Sequence, residues 1–120
     1  MTILVPYVTD MINRPDTNKA FATSSLKGEP HIIVSSTLEA IDSSTLILAE
    51  LKMIKTGKNL EENPIGAFTV WRGKQAYTIY VKVESRLTSG PHYDRLKEHL
   101  EGRGIPMFAI WVFKVVSVQG

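Results

Sequence analysis

Residues 20–38 have the sequence AFATSSLKGEPHIIVSSTL, and they contain the clearest fold signal of the chain. Ala20–Thr23 and His31–Leu38 are rich in apolar and β-branched side chains, whereas Ser24–Glu29 between them is mostly polar. Gly28 can supply the positive φ that a tight turn requires. The stretch therefore predicts a β-hairpin, with the hydroxyl run Ser35-Ser36-Thr37 inside its second strand.

Further strands follow on both sides of a short basic segment. Thr45–Ala49 is apolar and β-branched, and Ile65–Trp71 and Ala76–Val83 flank the turn Arg72–Gln75, which predicts a second hairpin. The last run, Met107–Val118, is almost continuously apolar. This pattern predicts a strand that is buried on both faces or lies in a subunit contact.

Helical patterns are short and few. Thr2–Asn13 suits a short helix or a packing arm, and Thr56 is expected to cap a helix over Gly57–Glu62 that ends at Asn63-Pro64. His92–Gly102 has an apolar stripe opposite charged residues, as in an amphipathic helix. About six strands and two short helices, without regular strand–helix alternation, predict a mainly β fold: an antiparallel barrel with inserted helices, in one domain spanning 1–120.

Composition limits the functional classes. The chain has 120 residues, no cysteine and a formal net charge of +2, from 14 basic and 12 acidic residues. Thiolate metal sites, disulfides and cysteine nucleophiles are thereby excluded, and the balanced charge does not favour a nucleic-acid partner. Met1–Val8 makes a poor signal peptide, and no apolar run approaches the roughly 20 residues of a membrane span. We expect a cytoplasmic protein with no membrane partner.

The most suggestive chemistry lies at the predicted helix start. Lys55, Thr56, Lys58 and Asn59 concentrate two ammonium groups, a hydroxyl and an amide where free backbone N–H groups also point outward. A phosphate dianion fits such a position. On pattern alone, however, a plain threonine cap with solvated lysines is the more common arrangement, and hydroxyl runs such as Ser35-Ser36-Thr37 are frequent on solvated strands.

The order of these segments resembles the split-barrel flavin-binding proteins related to pyridoxamine 5'-phosphate oxidase, including small FMN-binding proteins of about this length. The resemblance covers about Phe21 to Val83, roughly half of the chain. It is carried by Phe21-Ala22-Thr23-Ser24, Lys27-Gly28-Glu29-Pro30-His31, Leu46-Ile47-Leu48-Ala49 and, above all, Lys55-Thr56-Gly57-Lys58-Asn59-Leu60-Glu61-Glu62-Asn63-Pro64.

The resemblance implies an antiparallel split β-barrel that binds FMN, commonly as a homodimer with FMN at the subunit interface. It implies that Lys55, Thr56 and Lys58 bind the phosphate. Asn59 is expected to brace the loop instead of binding the phosphate. The flavin ring is implied to lie beside Glu50–Ile54 and the strand after Pro30. The implied cofactor ligands are therefore Ser35, Ser36, Thr37, Glu50, Leu51, Lys52, Met53, Lys55, Thr56 and Lys58.

The sequence says less about the activity of the protein than about its cofactor. We expect a redox-active flavoprotein, with electron or hydride transfer to a nicotinamide cofactor or a protein partner; the alternatives are a non-catalytic flavin or phosphorylated-ligand carrier or sensor, and a barrel that binds single-stranded nucleic acid. The additional arginine, histidine and tyrosine residues of the full oxidases are not recognisable, which disfavours vitamin B6 oxidation. No acid–base pair is evident, and the three histidines lack metal-ligand spacing.

Overall fold

The computed structural model of the chain describes residues 4–120, so Thr2 and Ile3 of the predicted N-terminal segment lie outside the described residues. It contains three short helices and seven strands. In chain order these are α1 (Pro6–Asn13), β1 (Asn18–Ser24), β2 (Pro30–Val34), β3 (Glu39–Ala40), β4 (Thr45–Glu50), α2 (Ile54–Glu62), β5 (Ile65–Arg72), β6 (Gln75–Leu87), α3 (Pro91–Glu101) and β7 (Ala109–Gln119).

The strands form one antiparallel sheet in the order β2-β1-β5-β6-β7-β4-β3, curled into a half-barrel. Both predicted hairpins are confirmed: β1 pairs with β2, and β5 pairs with β6. Gly28 and Gly73 have φ values of 84° and 61°, so each turn uses glycine in the left-handed region that other residues avoid. The mainly antiparallel fold is thus as predicted.

Two hydrophobic clusters lie on the two sides of the sheet. The larger cluster fills the inside of the half-barrel, where α1 contributes Val8 and Ile12. The smaller cluster joins α3 to β4 and β7 through Leu96, Leu100 and Ile110. The first half of β7 is buried on both faces, because Trp111 and Phe113 lie in the larger cluster and Ile110 in the smaller one; this confirms the first of the two interpretations of that apolar run.

Helix α2 is attached to the first hairpin through its own buried face. Thr56, Asn59 and Leu60 are its buried residues, at the i, i+3, i+4 spacing of one helix face. The buried Asn59 Nδ2 donates to Thr23 Oγ1 at 3.1 Å, and Asn63 Nδ2 donates to the Ser24 carbonyl at 3.2 Å. Asn59 therefore braces this part of the chain, as the alternative assignment proposed.

Candidate functional site

The start of α2 presents free cations beside free amides. The helix begins at Ile54, one turn earlier than the sequence predicts, and the amides of its first turn have no intrahelical acceptor. Lys55 and Lys58 are exposed, and neither forms an ion pair within residues 4–120. Both line a cleft of about 830 Å³ whose other wall is the β1–β2 turn, including Lys27.

The predicted capping role of Thr56 is wrong. The residue that precedes the helix is Met53, which makes no side-chain cap, and Thr56 is the third helical residue. Its side chain is fully buried, because it shares the packing face with Asn59 and Leu60. Its Oγ1 has no hydrogen-bond partner within the described part of the chain. Of the predicted phosphate ligands, the structure therefore places Lys55 and Lys58 at the open surface and Thr56 beneath it.

The hydroxyl run also differs from its predicted setting. Strand β2 ends at Val34, so Ser35, Ser36 and Thr37 form the turn to β3 rather than part of a strand. The Ser35 amide donates to the Lys19 carbonyl at 3.0 Å, and the Leu38 amide donates to the Ser35 carbonyl at 3.0 Å. The second of these bonds, from residue i+3 back to residue i, is that of a β-turn, so the backbone turns here instead of continuing the strand.

Within this turn the three hydroxyls have different environments. Thr37 Oγ1 accepts a hydrogen bond from the Ala49 amide at 3.1 Å, whereas Ser36 is exposed. Ser35 is buried, and its Oγ has no partner among residues 4–120. Buried polar atoms are rarely left unpaired, and among these three hydroxyls that of Ser35 alone is both buried and without a partner in the described residues.

The turn and the segment after β4 form one apolar cleft. Ser35, Ser36 and Thr37 line a space of about 250 Å³ together with Leu51, Lys52 and Met53. The last three also line a neighbouring cleft of about 520 Å³, whose far side is formed by Arg86 and Phe108. The structure thus brings the two predicted ring-contacting segments together, and Lys58 borders both the second cleft and the cationic cleft at α2.

Glu50 has partners within the chain. Its carboxylate accepts a bidentate pair of hydrogen bonds from Arg86, at 2.9 and 2.8 Å, and a third from Trp111 Nε1 at 2.9 Å. The Arg86 hydrogen bonds hold the pKa of Glu50 below its usual range against the opposing effect of burial, and the same contact raises the pKa of Arg86. The Glu50 side chain therefore fixes the start of the Leu51–Met53 segment.

This ion pair predicts a pH-dependent stability difference. A carboxylate whose pKa is lowered by folding stabilises the fold above its ordinary pKa, and this stabilisation is lost as the pH falls through the folded value. Arg86→Gln should lower the free energy of unfolding by about 1 kcal/mol near neutral pH, and by less at about pH 3, below the ordinary pKa of a glutamate. Urea unfolding of both proteins at the two pH values measures the difference.

Arg103→Gln is the matched control, because Arg103 forms no ion pair within the described chain. It should show no such pH dependence. An Arg86→Gln effect of the same size at both pH values would contradict the assigned ion pair.

Sequence patterns do not reveal Arg86 or Phe108 as site residues. Arg86 reaches Glu50 because β6 continues to Leu87 and pairs Arg86 with Trp111 across β7. Two register shifts interrupt that pairing, so strand alternation does not predict it. Phe108 precedes β7 and is 55% exposed, unlike the buried aromatic residues that follow it. The exposure of one residue in an apolar run has no signature in the sequence.

The described residues contain neither a cluster of metal ligands nor a membrane-spanning helix. They contain no group of three or more histidine, cysteine, aspartate or glutamate side chains placed to hold a metal ion. None of the helices in residues 4–120 has the length and apolar character needed to cross a bilayer.

Comparison with known proteins gives structural relatives. No protein-family model and no curated protein sequence matches the chain. Among solved structures, an FMN-binding protein from Syntrophomonas wolfei is 30% identical, with a TM-score of 0.78; the match covers 89% of this chain and 77% of that one.

Two further solved structures share the fold at lower identity. A putative pyridoxamine 5'-phosphate oxidase from Lactobacillus delbrueckii is 14% identical over 100% of this chain and 96% of its own, with a TM-score of 0.74. HutZ, the heme storage protein from Vibrio cholerae, is 16% identical over 98% and 92%, with a TM-score of 0.63. These two comparisons establish the common fold.

Proposed function

Because the chain belongs to the split-barrel FMN-binding family related to pyridoxamine 5'-phosphate oxidase, we propose that it is a redox-active flavoprotein that holds FMN around the start of α2. The proposal depends on one observation: a cationic cleft and an apolar cleft meet at the start of α2. Lys55 and Lys58 provide unpaired cations next to helix amides, and the Leu51–Met53 segment provides an apolar wall beside them. FMN requires these two environments side by side, because its phosphate and its ring belong to one molecule.

The lysines and the helix end take the phosphate. Lys55 and Lys58 border the same cleft, and the positive end of the α2 dipole adds to their charge. Lys27 contributes a third cation, while Glu29 and Glu62 on the same rim reduce the net positive charge. Ammonium–phosphate hydrogen bonds are charge-assisted and stronger than neutral ones, so this end of the site selects a phosphorylated flavin.

Leu51, Lys52 and Met53, with Phe108 opposite them, would hold the ring, and the buried Ser35 hydroxyl lines the adjoining cleft. Flavin supplies hydride or electron transfer when bound, and the protein sets its exposure and the charge near it. Lys52 is exposed at this wall and is the candidate tuning charge. Glu50 acts through Arg86 and Trp111 to fix the backbone from which the ring-contacting segment begins.

We also propose a homodimer with FMN at the subunit interface. Ile54 and Phe108 are 89% and 55% exposed, and both border the cleft assigned to the ring. Large apolar side chains at a cofactor cleft are covered when a second subunit packs there, since apolar surface favours association. A second copy would also exclude water from a cleft that the single chain leaves open.

Reduction of the bound flavin by a nicotinamide cofactor distinguishes a redox-active protein from a flavin carrier or sensor. NADH or NADPH added without oxygen should bleach the visible flavin absorbance of the holoprotein faster than that of free FMN at the same concentration. Such a result supports electron or hydride transfer from a nicotinamide cofactor, and hence an FMN-dependent oxidoreductase. Bound flavin that is reduced no faster than free FMN, yet is held tightly, supports a carrier or sensor instead.

Heme is the competing cofactor, because HutZ is described as a heme storage protein. A cationic cleft at a helix start favours FMN, since free helix amides bind phosphate, whereas heme carries no phosphate and requires an axial ligand for its iron. Incubation of the purified protein with equimolar FMN and hemin, followed by gel filtration, distinguishes the two. Retained flavin bands support this proposal, and a retained Soret band without flavin overturns it.

A further inference from the structure

A further cavity, of about 810 Å³, lies between α3, the α1–β1 connection and the turn after β2. It is separate from the lysine cleft at α2 and is not needed for FMN phosphate. Leu96 and Leu100 of α3 and Leu51 give it apolar walls, whereas Lys19 and Arg103 bring positive charge. The lining therefore combines an apolar surface with cations, as ligand sites for small organic anions do.

Lys19 is the least ordinary member of this lining. It is 8% exposed and lies on the inward-facing side of β1, in the same alternation as Phe21 and Thr23. Its Nζ donates to the Leu38 carbonyl at 3.2 Å, which uses one of the three donors of an ammonium group. No carboxylate within residues 4–120 forms an ion pair with it.

A buried ammonium with one carbonyl partner is incompletely compensated, because burial disfavours the charged form. Burial accordingly lowers the pKa of Lys19, an effect that the negative charge of Glu39 partly opposes. An anion in the cavity would supply the missing partner. The position of Lys19 is thus costly for the free chain and favourable for a complex.

The remaining charged residues of the cavity do not cancel its net positive charge. Its lining includes the cations Lys19, Arg95 and Arg103 and a single carboxylate, that of Glu39. Arg95 binds that carboxylate in a bidentate arrangement at 3.1 and 3.0 Å, so the acidic group has a partner already. Arg103 forms no ion pair within the described chain. Lys19 and Arg103 therefore remain available to a ligand.

We propose that this cavity binds a small organic carboxylate, with the negative group held by Lys19 and Arg103 and the apolar body against the leucines. Leu51 lines both this cavity and the cleft assigned to the flavin ring, and Ser36 and Thr37 line both this cavity and the smaller cleft next to it. The bound carboxylate is accordingly the reaction partner of the flavin, an assignment that rests on the proposed function. The existence of the anion site itself does not depend on FMN.

The test uses benzoate and its neutral counterpart benzyl alcohol, titrated calorimetrically into FMN-free protein. Benzoate should bind at least about tenfold more tightly than benzyl alcohol, because the two share an apolar ring and differ in the charged group. Arg103→Gln should weaken benzoate by about tenfold, and Lys19→Met should do the same. Equal binding of the two ligands, or no measurable benzoate binding, would overturn the site.

Lys74→Gln is the control for loss of one positive charge, since Lys74 lies in the exposed β5–β6 turn away from the cavity. It should leave benzoate affinity within about twofold. A loss equal to that of Arg103→Gln would indicate a general charge effect and contradict the site. Arg103 is exposed, so its variant keeps the test decisive if the buried Lys19→Met does not fold.

An FMN titration of the same preparation separates this inference from the proposed function. Protein that binds benzoate but not FMN retains the anion site and refutes the flavoprotein assignment. Protein that binds FMN but does not discriminate benzoate from benzyl alcohol refutes the anion site and leaves the cofactor assignment intact.

Discussion

Replacing Lys55 and Lys58 together by glutamine should weaken FMN binding by about a hundredfold and leave riboflavin binding unchanged. Each lysine contributes a charge-assisted hydrogen bond to phosphate, and loss of one such contact corresponds to about a tenfold change in affinity. Riboflavin lacks the phosphate, so it does not use the lysine cleft. Fluorescence titration of both flavins with the wild-type and variant proteins measures the two affinities.

The control removes two positive charges elsewhere. Lys74 and Lys97 lie outside the clefts at α2, so Lys74→Gln combined with Lys97→Gln should change FMN affinity by no more than about threefold. A parallel loss of FMN and riboflavin in the Lys55/Lys58 variant would show that these lysines support the ring or the fold rather than the phosphate. That outcome would refute the phosphate assignment.

Phe68→Ala should lower the free energy of unfolding by about 3–5 kcal/mol, the largest single effect expected on stability. Phe68 is fully buried and stacks on Phe21 at 4.0 Å between ring centroids, with an edge contact to Phe113 at 5.3 Å. These three rings come from β1, β5 and β7, so the substitution opens a cavity where the strands meet. Domains of this size are stable by about 5–15 kcal/mol, so the loss is a large fraction.

Phe108→Ala is the matched control, because it deletes the same side chain at a position that is 55% exposed. It should cost less than about 1 kcal/mol. Urea unfolding with an unchanged m-value reports both differences. Equal destabilisation by the two substitutions would contradict the location of the aromatic core.

Local patterns predict the hairpins because their causes are local. Strand alternation and a glycine with positive φ are sufficient for β1–β2 and for β5–β6, and both appear where the sequence places them. The amphipathic stripe of α3 is likewise visible, since Leu96 and Leu100 share one face. These elements need no knowledge of distant contacts.

Errors occur where distant packing overrides local preference. Threonine is a favourable N-cap residue, so the sequence places the helix start at Thr56. The helix nevertheless begins at Ile54, because the face formed by Thr56, Asn59 and Leu60 packs against the rest of the chain. Ser35–Thr37 continue an apolar strand by pattern, but hydrogen bonds to β1 and β4 turn the chain there. The Glu50–Arg86 contact depends on a strand register with two shifts, and no periodicity encodes it.

The cofactor site shows the same difference between features with local causes and features that depend on distant contacts. The lysines of the phosphate cleft are recognisable in the sequence because a single short segment carries them. The far side of the ring cleft is formed by Arg86 of β6 and by Phe108 just before β7, both distant in sequence from Leu51–Met53, and so it is visible only in the structure. Sequence therefore predicts the charged end of the site better than its apolar end.

The central claim is that this chain binds FMN through its phosphate and ring together. Its most direct test is the absorption spectrum of the purified protein after incubation with excess FMN and removal of free ligand by gel filtration. We expect a yellow protein that retains the oxidised flavin spectrum with about one FMN per chain, and that loses riboflavin under the same treatment. A colourless protein that does not retain added FMN would contradict it.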